Sequence, residues 1–334
     1  MSISIFEQKF GNDFQTDEPL ATYTTVRLGG KAKYFLIVKE TEDLIWAVKK
    51  AQELSIPYFI LGGGSNTLIS DAGYDGLVIK NETAKLVCQG NMIIADSGLM
   101  LSVMLKKLAE MDKGGLEFLA GIPGTIGGAV CGNAGAWGKS MADTVVSISV
   151  LGSNGKAIKV NNKQIGFSYR KTLIKKSVLE NPEKPPVILS VQLKASSNTK
   201  EAILRISENY IKMRASKQPQ GYCLGSVYKN IILDKNQTIS EETKPFVSEN
   251  IIPAGLVFDR LGFRGKRKGK IQISLMHANF IMNLGRGKTY DYFELITEMQ
   301  EQAKKQYGLK FEREIVVLGN PKEKRKGFWG FIKK

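Results

Sequence analysis

The chain has 334 residues, with 48 Lys and Arg against 32 Asp and Glu, a formal net charge of +16. That length suggests about two domains, each with enough apolar sequence to bury a core without staples. Three scattered cysteines, Cys88, Cys131 and Cys223, make neither a disulfide framework nor a thiolate metal site, and a lone histidine, His277, excludes a histidine-rich centre, so no metal is expected.

The opening MSISIFEQKFGNDF has no basic region leading into an apolar one. No apolar run approaches the ~18 residues of a membrane helix, and a cytoplasmic soluble protein is expected. A strand is predicted over 33–39. Thr41 then stands as a cap before Leu44, Ile45, Val48, Ala51 and Leu54, which recur at helical spacing. Strands follow at 57–61, 76–80, 85–89 and 92–96, then a helix over about 100–111. Two strands flank the Gly-Ser-Asn-Gly turn in 145–160, and a strand near 187–193 leads to a long helix over about 200–214. The polar 215–221 reads as a linker. The last third predicts a short helix at 254–262, a strand at 277–283, a long helix over about 290–307 and a final strand at 314–319. The chain is β-rich first and mixed later, which points to separate cores.

Two glycine clusters punctuate the first half: 62-GGGSN-66 and 121-GIPGTIGGAVCGNAGAWG-138, the latter uncharged and with seven glycines. Successive backbone N–H groups in such turns converge on an anion, and a diphosphate is the usual occupant. Gly62-x-Gly64 is followed by Thr67, so the Rossmann pattern fails, and no Gly-Lys-Ser/Thr marks a P-loop. The plainer alternative is tight turns. The second cluster exceeds the two to five residues of a hairpin loop and suggests bare backbone lying flat along a dinucleotide.

In chain order, 24-TTVRLGGKA-32, 61-LGGGSNTLIS-70, 115-GLEFLAGIPGTIGGAVCGNAGAWG-138, 167-FSYRKT-172, 225-GSVYKN-230, 277-HANFIMN-283 and 312-EREIVVLG-319 resemble the UDP-N-acetylenolpyruvoylglucosamine reductase family. The resemblance implies an α+β fold: an FAD-binding module of the vanillyl-alcohol-oxidase type with two α+β subdomains, over 1–82 and 83–214, and a C-terminal α+β substrate-binding domain over 215–319. It implies bound FAD, held by Gly62, Gly63, Gly64, Ser65 and Asn66 and by Gly121, Ile122, Gly124, Thr125 and Gly128, and NADPH as hydride donor. The implied reaction carries a hydride from flavin N5 to the vinyl CH₂ of UDP-N-acetylglucosamine enolpyruvate, giving UDP-N-acetylmuramate for peptidoglycan.

By the same resemblance, Arg170 polarises the substrate carboxylate, Glu314 helps hold the developing charge and Ser226 delivers the proton, while Tyr169, Lys229 and Asn230 contact the UDP-sugar. Singly these residues read more plainly: Ser226 as a turn serine, Arg170 as a surface arginine, Glu314 as an exposed strand residue, Tyr169 as core packing, and Lys229 and Asn230 as a polar turn. His277 reads as a structural, hydrogen-bonded histidine. Lys171, Thr172, Ile231 and Met276 depart from the family's usual Asp, Ser, Pro and Lys. The tail 320-NPKEKRKGFWGFIKK-334 reads either as a disordered basic tail or as an anionic membrane-surface contact. A flavin oxidase of another small substrate on the same module is the first alternative. A nucleic-acid-binding protein is the second; it needs basic residues grouped with stacking aromatics, which only the tail offers, so no nucleic-acid partner is expected.

Overall fold

The computed structural model describes residues 3–152, 154–180, 185–234 and 240–319; the tail 320–334 lies outside them. The chain forms two compact units interleaved in sequence. The first comprises Met1–Glu18, Lys33–Gly64 and Gly76–Ser216, the second Pro19–Ala32, Ser65–Asp75 and Lys217–Lys334.

Two larger sheets lie in the first unit. In one, the strands Phe14–Pro19, Lys31–Val38, Tyr74–Asn81 and Tyr58–Leu61 lie in that order, the last two parallel. The helix Thr41–Glu53 places Leu44, Ala47, Val48 and Ala51 on one stripe, against Phe6, Tyr58, Leu77 and Ile79. Leu44 and Val48 are fully buried, each worth about 1.5–3 kcal/mol of transfer free energy. Thr41 is not the cap: Glu40 holds the cap position and makes no side-chain capping bond. The other sheet is antiparallel, in the order Ala157–Asn161, Val145–Leu151, Val187–Lys194, Met92–Asp96, Leu86–Gln89. Val191 and Leu193 from its central strand share a core with Leu101, Met104 and Leu108 of the helix Leu101–Glu110.

The expectation of flat, bare backbone over 121–138 needs correction. Ile126–Cys131 is a short α-helix capped by Thr125, whose hydroxyl accepts from Gly128 N at 3.4 Å. Sequence propensity argues against it, because glycine is the poorest helix former after proline. Packing overrides propensity here, since Ile126 and Val130 are fully buried.

The second unit is built on the long helix Thr289–Tyr307, which buries Tyr292, Phe293, Leu295, Ile296, Met299 and Ala303. Asp71 supplies the acceptors at its N-terminus, taking Thr289 N at 3.0 Å and Tyr290 N at 3.2 Å. The segment 65–75 is tied in further by the parallel pairing of Thr67–Ile69 with Val316–Leu318. An antiparallel sheet orders Cys223–Ser226, Phe280–Asn283, Ile271–Ile273 and Arg267–Lys268. The strand expected at 277–283 begins only at Phe280, because His277–Phe280 is a turn: Phe280 N donates to His277 O at 3.0 Å and Asn279 N to His277 Nδ1 at 3.1 Å. Ile231, in place of the family's proline, pairs antiparallel with Ile252, a ladder position that keeps a backbone donor.

Candidate active site

In the first unit the two glycine clusters pack backbone to backbone. A Cβ on Gly63 would lie 2.6 Å from Gly124 Cα, and one on Gly62 2.6 Å from Thr125 Oγ1, so side chains are sterically excluded from this contact. Gly128 is different: a Cβ there would meet only Thr125 Oγ1, at 3.6 Å, and otherwise open space. Lys80 Nζ donates to Gly62 O at 2.6 Å. Gly121, Gly124 and Ile122 belong to the same loop, with Gly121 against Arg214 and Ile211 of the helix Lys200–Ala215.

Arg170 sits at the tip of a tight turn closed by reciprocal backbone bonds between Ser168 and Lys171, at 3.0 and 3.1 Å. Its φ of +54° is costly for a residue with a Cβ and needs support from its surroundings. That support is visible: the guanidinium donates to Gly135 O at 2.7 Å and Asn133 O at 3.3 Å, and Asn133 Nδ2 donates back to Ser168 O at 2.8 Å. The half-exposed Tyr169 ring lies 5.6 Å from the guanidinium carbon. The turn is thereby locked to the Asn133–Gly138 segment, whose Trp137 stacks on Tyr210 at 5.4 Å, with Arg214 6.0 Å from its ring. The Trp137 indole N–H is buried without an acceptor among the described residues. Burial, and then the charge of Arg170, lower the pKa of Arg214. Trp137, Tyr210 and Arg214 were not singled out in the sequence; the only local sign was an aromatic in an otherwise small-residue run.

In the second unit the chain brings Ser226, Lys229, Asn230, Glu314 and Asn66 together. Residues 227–229 run antiparallel to 312–314: Glu314 N donates to Val227 O at 2.8 Å, and Lys229 N to Glu312 O at 2.9 Å. Asn66 binds the same segment twice, accepting from Val316 N at 2.9 Å and donating from Nδ2 to Glu314 O at 3.1 Å. Gly225, at φ +77°, makes the irregularity between Cys223 and Ser226 that re-aims the strand end.

Tyr228 then anchors the following peptide. Its ring is buried among Phe258 and Phe311, and its hydroxyl donates to Ile296 O at 2.6 Å. Asn279 grips both sides of Tyr228, accepting from its N at 3.0 Å and donating to its O at 2.8 Å. The motif 277–283 contained this residue, but nothing local marked its partner.

Ser226 and Asn230 line a cavity of about 300 Å³ with Leu256, Arg264, Met276 and His277. Asn230 Oδ1 accepts from Ala254 N at 3.0 Å, at the start of the helix Ala254–Arg260. Lys229 is buried and paired with Glu312 at 2.7 Å, so in this conformation its ammonium is held by a carboxylate. His277 is hydrogen-bonded as expected, yet it also faces the cavity, which the sequence did not reveal. Burial first, then the positive charge of Arg264, lower its pKa. Burial raises the thiols of Cys131 and Cys223. Among the described residues no cluster could hold a metal ion, and no helix is long and apolar enough to cross a membrane.

The family model described as an FAD binding domain matches residues 32–161, and the model for the UDP-N-acetylenolpyruvoylglucosamine reductase C-terminal domain matches 218–318. A glycine cradle on an FAD-binding domain, followed by a reductase C-terminal domain, defines an FAD-dependent oxidoreductase. The UDP-N-acetylenolpyruvoylglucosamine reductase of Lactobacillus acidophilus is 35% identical over 314 residues, covering 93% of this chain and 97% of its own. That of Caldicellulosiruptor bescii is 34% identical over 324 residues, covering 96% and 95%. The crystal structure of the Thermus caldophilus enzyme superposes with a TM-score of 0.71 at 30% identity, covering 92% of this chain and 98% of that one. The chain belongs to the UDP-N-acetylenolpyruvoylglucosamine reductase family. Its residues fit the cofactor: two glycine loops that admit no Cβ where they meet, an open flank at Gly128 and a buried indole donor suit a flat dinucleotide.

Proposed function

We propose that this chain reduces the enolpyruvyl group of UDP-N-acetylglucosamine enolpyruvate to give UDP-N-acetylmuramate, a peptidoglycan precursor, with NADPH as reductant. Bound FAD would supply the two-electron chemistry that links NADPH to the vinyl CH₂ carbon. Gly62, Gly63, Gly64, Ser65 and Asn66, with Gly121, Ile122, Gly124, Thr125 and Gly128, would hold it.

The protein's task is charge. Adding a hydride to the CH₂ carbon pushes an electron pair towards the carboxylate and leaves the neighbouring carbon to be protonated. Arg170 binds and polarises that carboxylate, and its locked turn fixes where the positive charge stands. Glu314, protonated, donates a hydrogen bond to the developing charge. Ser226 Oγ–H delivers the proton; a serine is a weak acid, but an enolate is a strong base, and fixed geometry makes the transfer feasible. Tyr169, Lys229 and Asn230 orient the UDP-sugar, with Lys229 exchanging Glu312 for the ligand's negative charge. Three free thiols suit a reducing, cytoplasmic setting.

The observation that carries this reading is the ladder that sets Glu314 beside Val227, directly after a serine lining a cavity. The test is anaerobic. In Ser226→Ala, NADPH should bleach the flavin at the unaltered rate, while return of the yellow colour on adding the enolpyruvyl substrate should slow by ~10²–10⁴-fold, the range of a lost general acid. Reoxidation at the unaltered rate would remove Ser226 from the chemistry.

A further inference from the structure

Lys80 belongs to no motif and has no assigned role, yet it ends on the first glycine cluster. It lies on the strand Tyr74–Asn81, opposite Leu61 in the parallel register, and its ammonium donates to the carbonyl oxygen of Gly62 at 2.6 Å. The side chain is half-buried, and burial lowers its pKa, an effect partly offset by the charge of Glu82. A half-buried ammonium that ends on a neutral peptide oxygen costs solvation free energy that a plain structural role does not call for.

The geometry points to Lys80 as a positioning residue for the cofactor's diphosphate. A trans peptide is planar, so the Gly62 carbonyl and the Gly63 N–H share one plane and point opposite ways. Holding the carbonyl towards Lys80 therefore fixes the Gly63 N–H in the reverse direction. The other side of Gly63 is walled by Gly124, where a Cβ would come within 2.6 Å of Cα. A glycine triplet is otherwise free to rotate its peptides, and that freedom would have to be lost on each binding event. Lys80 removes it beforehand and leaves a fixed donor suited to an anion.

The test uses purified holoenzyme, diluted through the micromolar to nanomolar range, with FAD release read by flavin fluorescence. Lys80→Met keeps the length and removes the donor; it should raise the FAD dissociation constant about 10–100-fold, the range for a hydrogen bond to a charged group. Lys80→Arg, which can still donate, should stay within about threefold of the unaltered protein. The urea midpoint of each variant, measured at the same multiple of its own FAD dissociation constant, should be unchanged. A Lys80→Met dissociation constant within threefold of the original would overturn the assignment. So would equal loss in both variants with lowered midpoints, which would make Lys80 a purely structural brace. This inference depends on FAD binding and not on the identity of the substrate, so its failure leaves the proposed reaction standing.

Discussion

His277 shows how much a single side chain can report. Its Nδ1 accepts from Asn279 N, its ring lies 4.9 Å from that of Phe280, and a Cβ on Gly255 would strike its Cε1 at 2.4 Å. The imidazole is therefore held in its neutral form by burial, with Arg264 opposing its protonation and Asp259 weakly favouring it. A histidine whose folded pKa lies below its unfolded value takes up a proton more readily when unfolded. Its contribution to stability is complete above about pH 6.5 and is lost as pH falls through the folded pKa. Because the chain has one histidine, its Hε1 proton can be followed by NMR without assignment. The resonance should titrate with a midpoint below 6.5, and urea unfolding should show stability declining below that pH. A midpoint at or above 6.5 would mean that the cavity is wetter, or Asp259 stronger, than the packing implies.

The glycine-run helix carries the comparison of sequence with structure at the next scale. Periodicity located the helix Thr41–Glu53 and the long helix Thr289–Tyr307, because a buried stripe leaves a period in the sequence. It could not find Ile126–Cys131, where the residues are small and the helix exists because its neighbours enclose it. For the same reason Asp71 at the start of a helix 218 residues away and Asn279 clamping Tyr228 were invisible: each is an ordinary polar residue whose partner is remote. Motifs singled out Ser226 and Asn230, which line one cavity, and Glu314, whose backbone pairs with Val227, because those positions sit in recognisable strings.

Within the helix the two adjacent glycines should respond oppositely to a methyl group. At Gly127 a Cβ would lie 2.8 Å from Ser97 Cβ and 2.9 Å from Ser97 O, so Gly127→Ala should lose about 1–3 kcal/mol by overpacking. Gly128→Ala meets open space and should gain up to about 1 kcal/mol of helix propensity when flavin is absent. Urea titration of the two flavin-free variants distinguishes them; equal destabilisation would show that the helix is more tightly enclosed at Gly128 than the geometry gives.

At the scale of the molecule, each unit owns its core. One cluster of buried residues gathers Val26, Leu28 and Leu68 with Phe258, Tyr292 and Ile315 in the second unit, and two others lie in the first. The interleaving was not legible, since 65–75 carries no local mark of the core it joins; a strand of three residues declares itself only through its partner at Val316–Leu318. The tryptophans make the first unit separately observable. Trp46 and Trp137 both belong to it, and the third, Trp329, can be removed as Trp329→Phe. FAD bound to the folded state alone adds stability as RT ln(1 + [FAD]/Kd), about 2.7 kcal/mol at ~100 times Kd. In the Trp329→Phe background, raising free FAD should therefore move the tryptophan-detected urea transition to higher denaturant by that increment, with flavin fluorescence appearing at the same midpoint. A tryptophan transition indifferent to FAD would mean that the glycine cradle and the core beneath it unfold independently, and that the dinucleotide is gripped by something other than the first unit's packed loops.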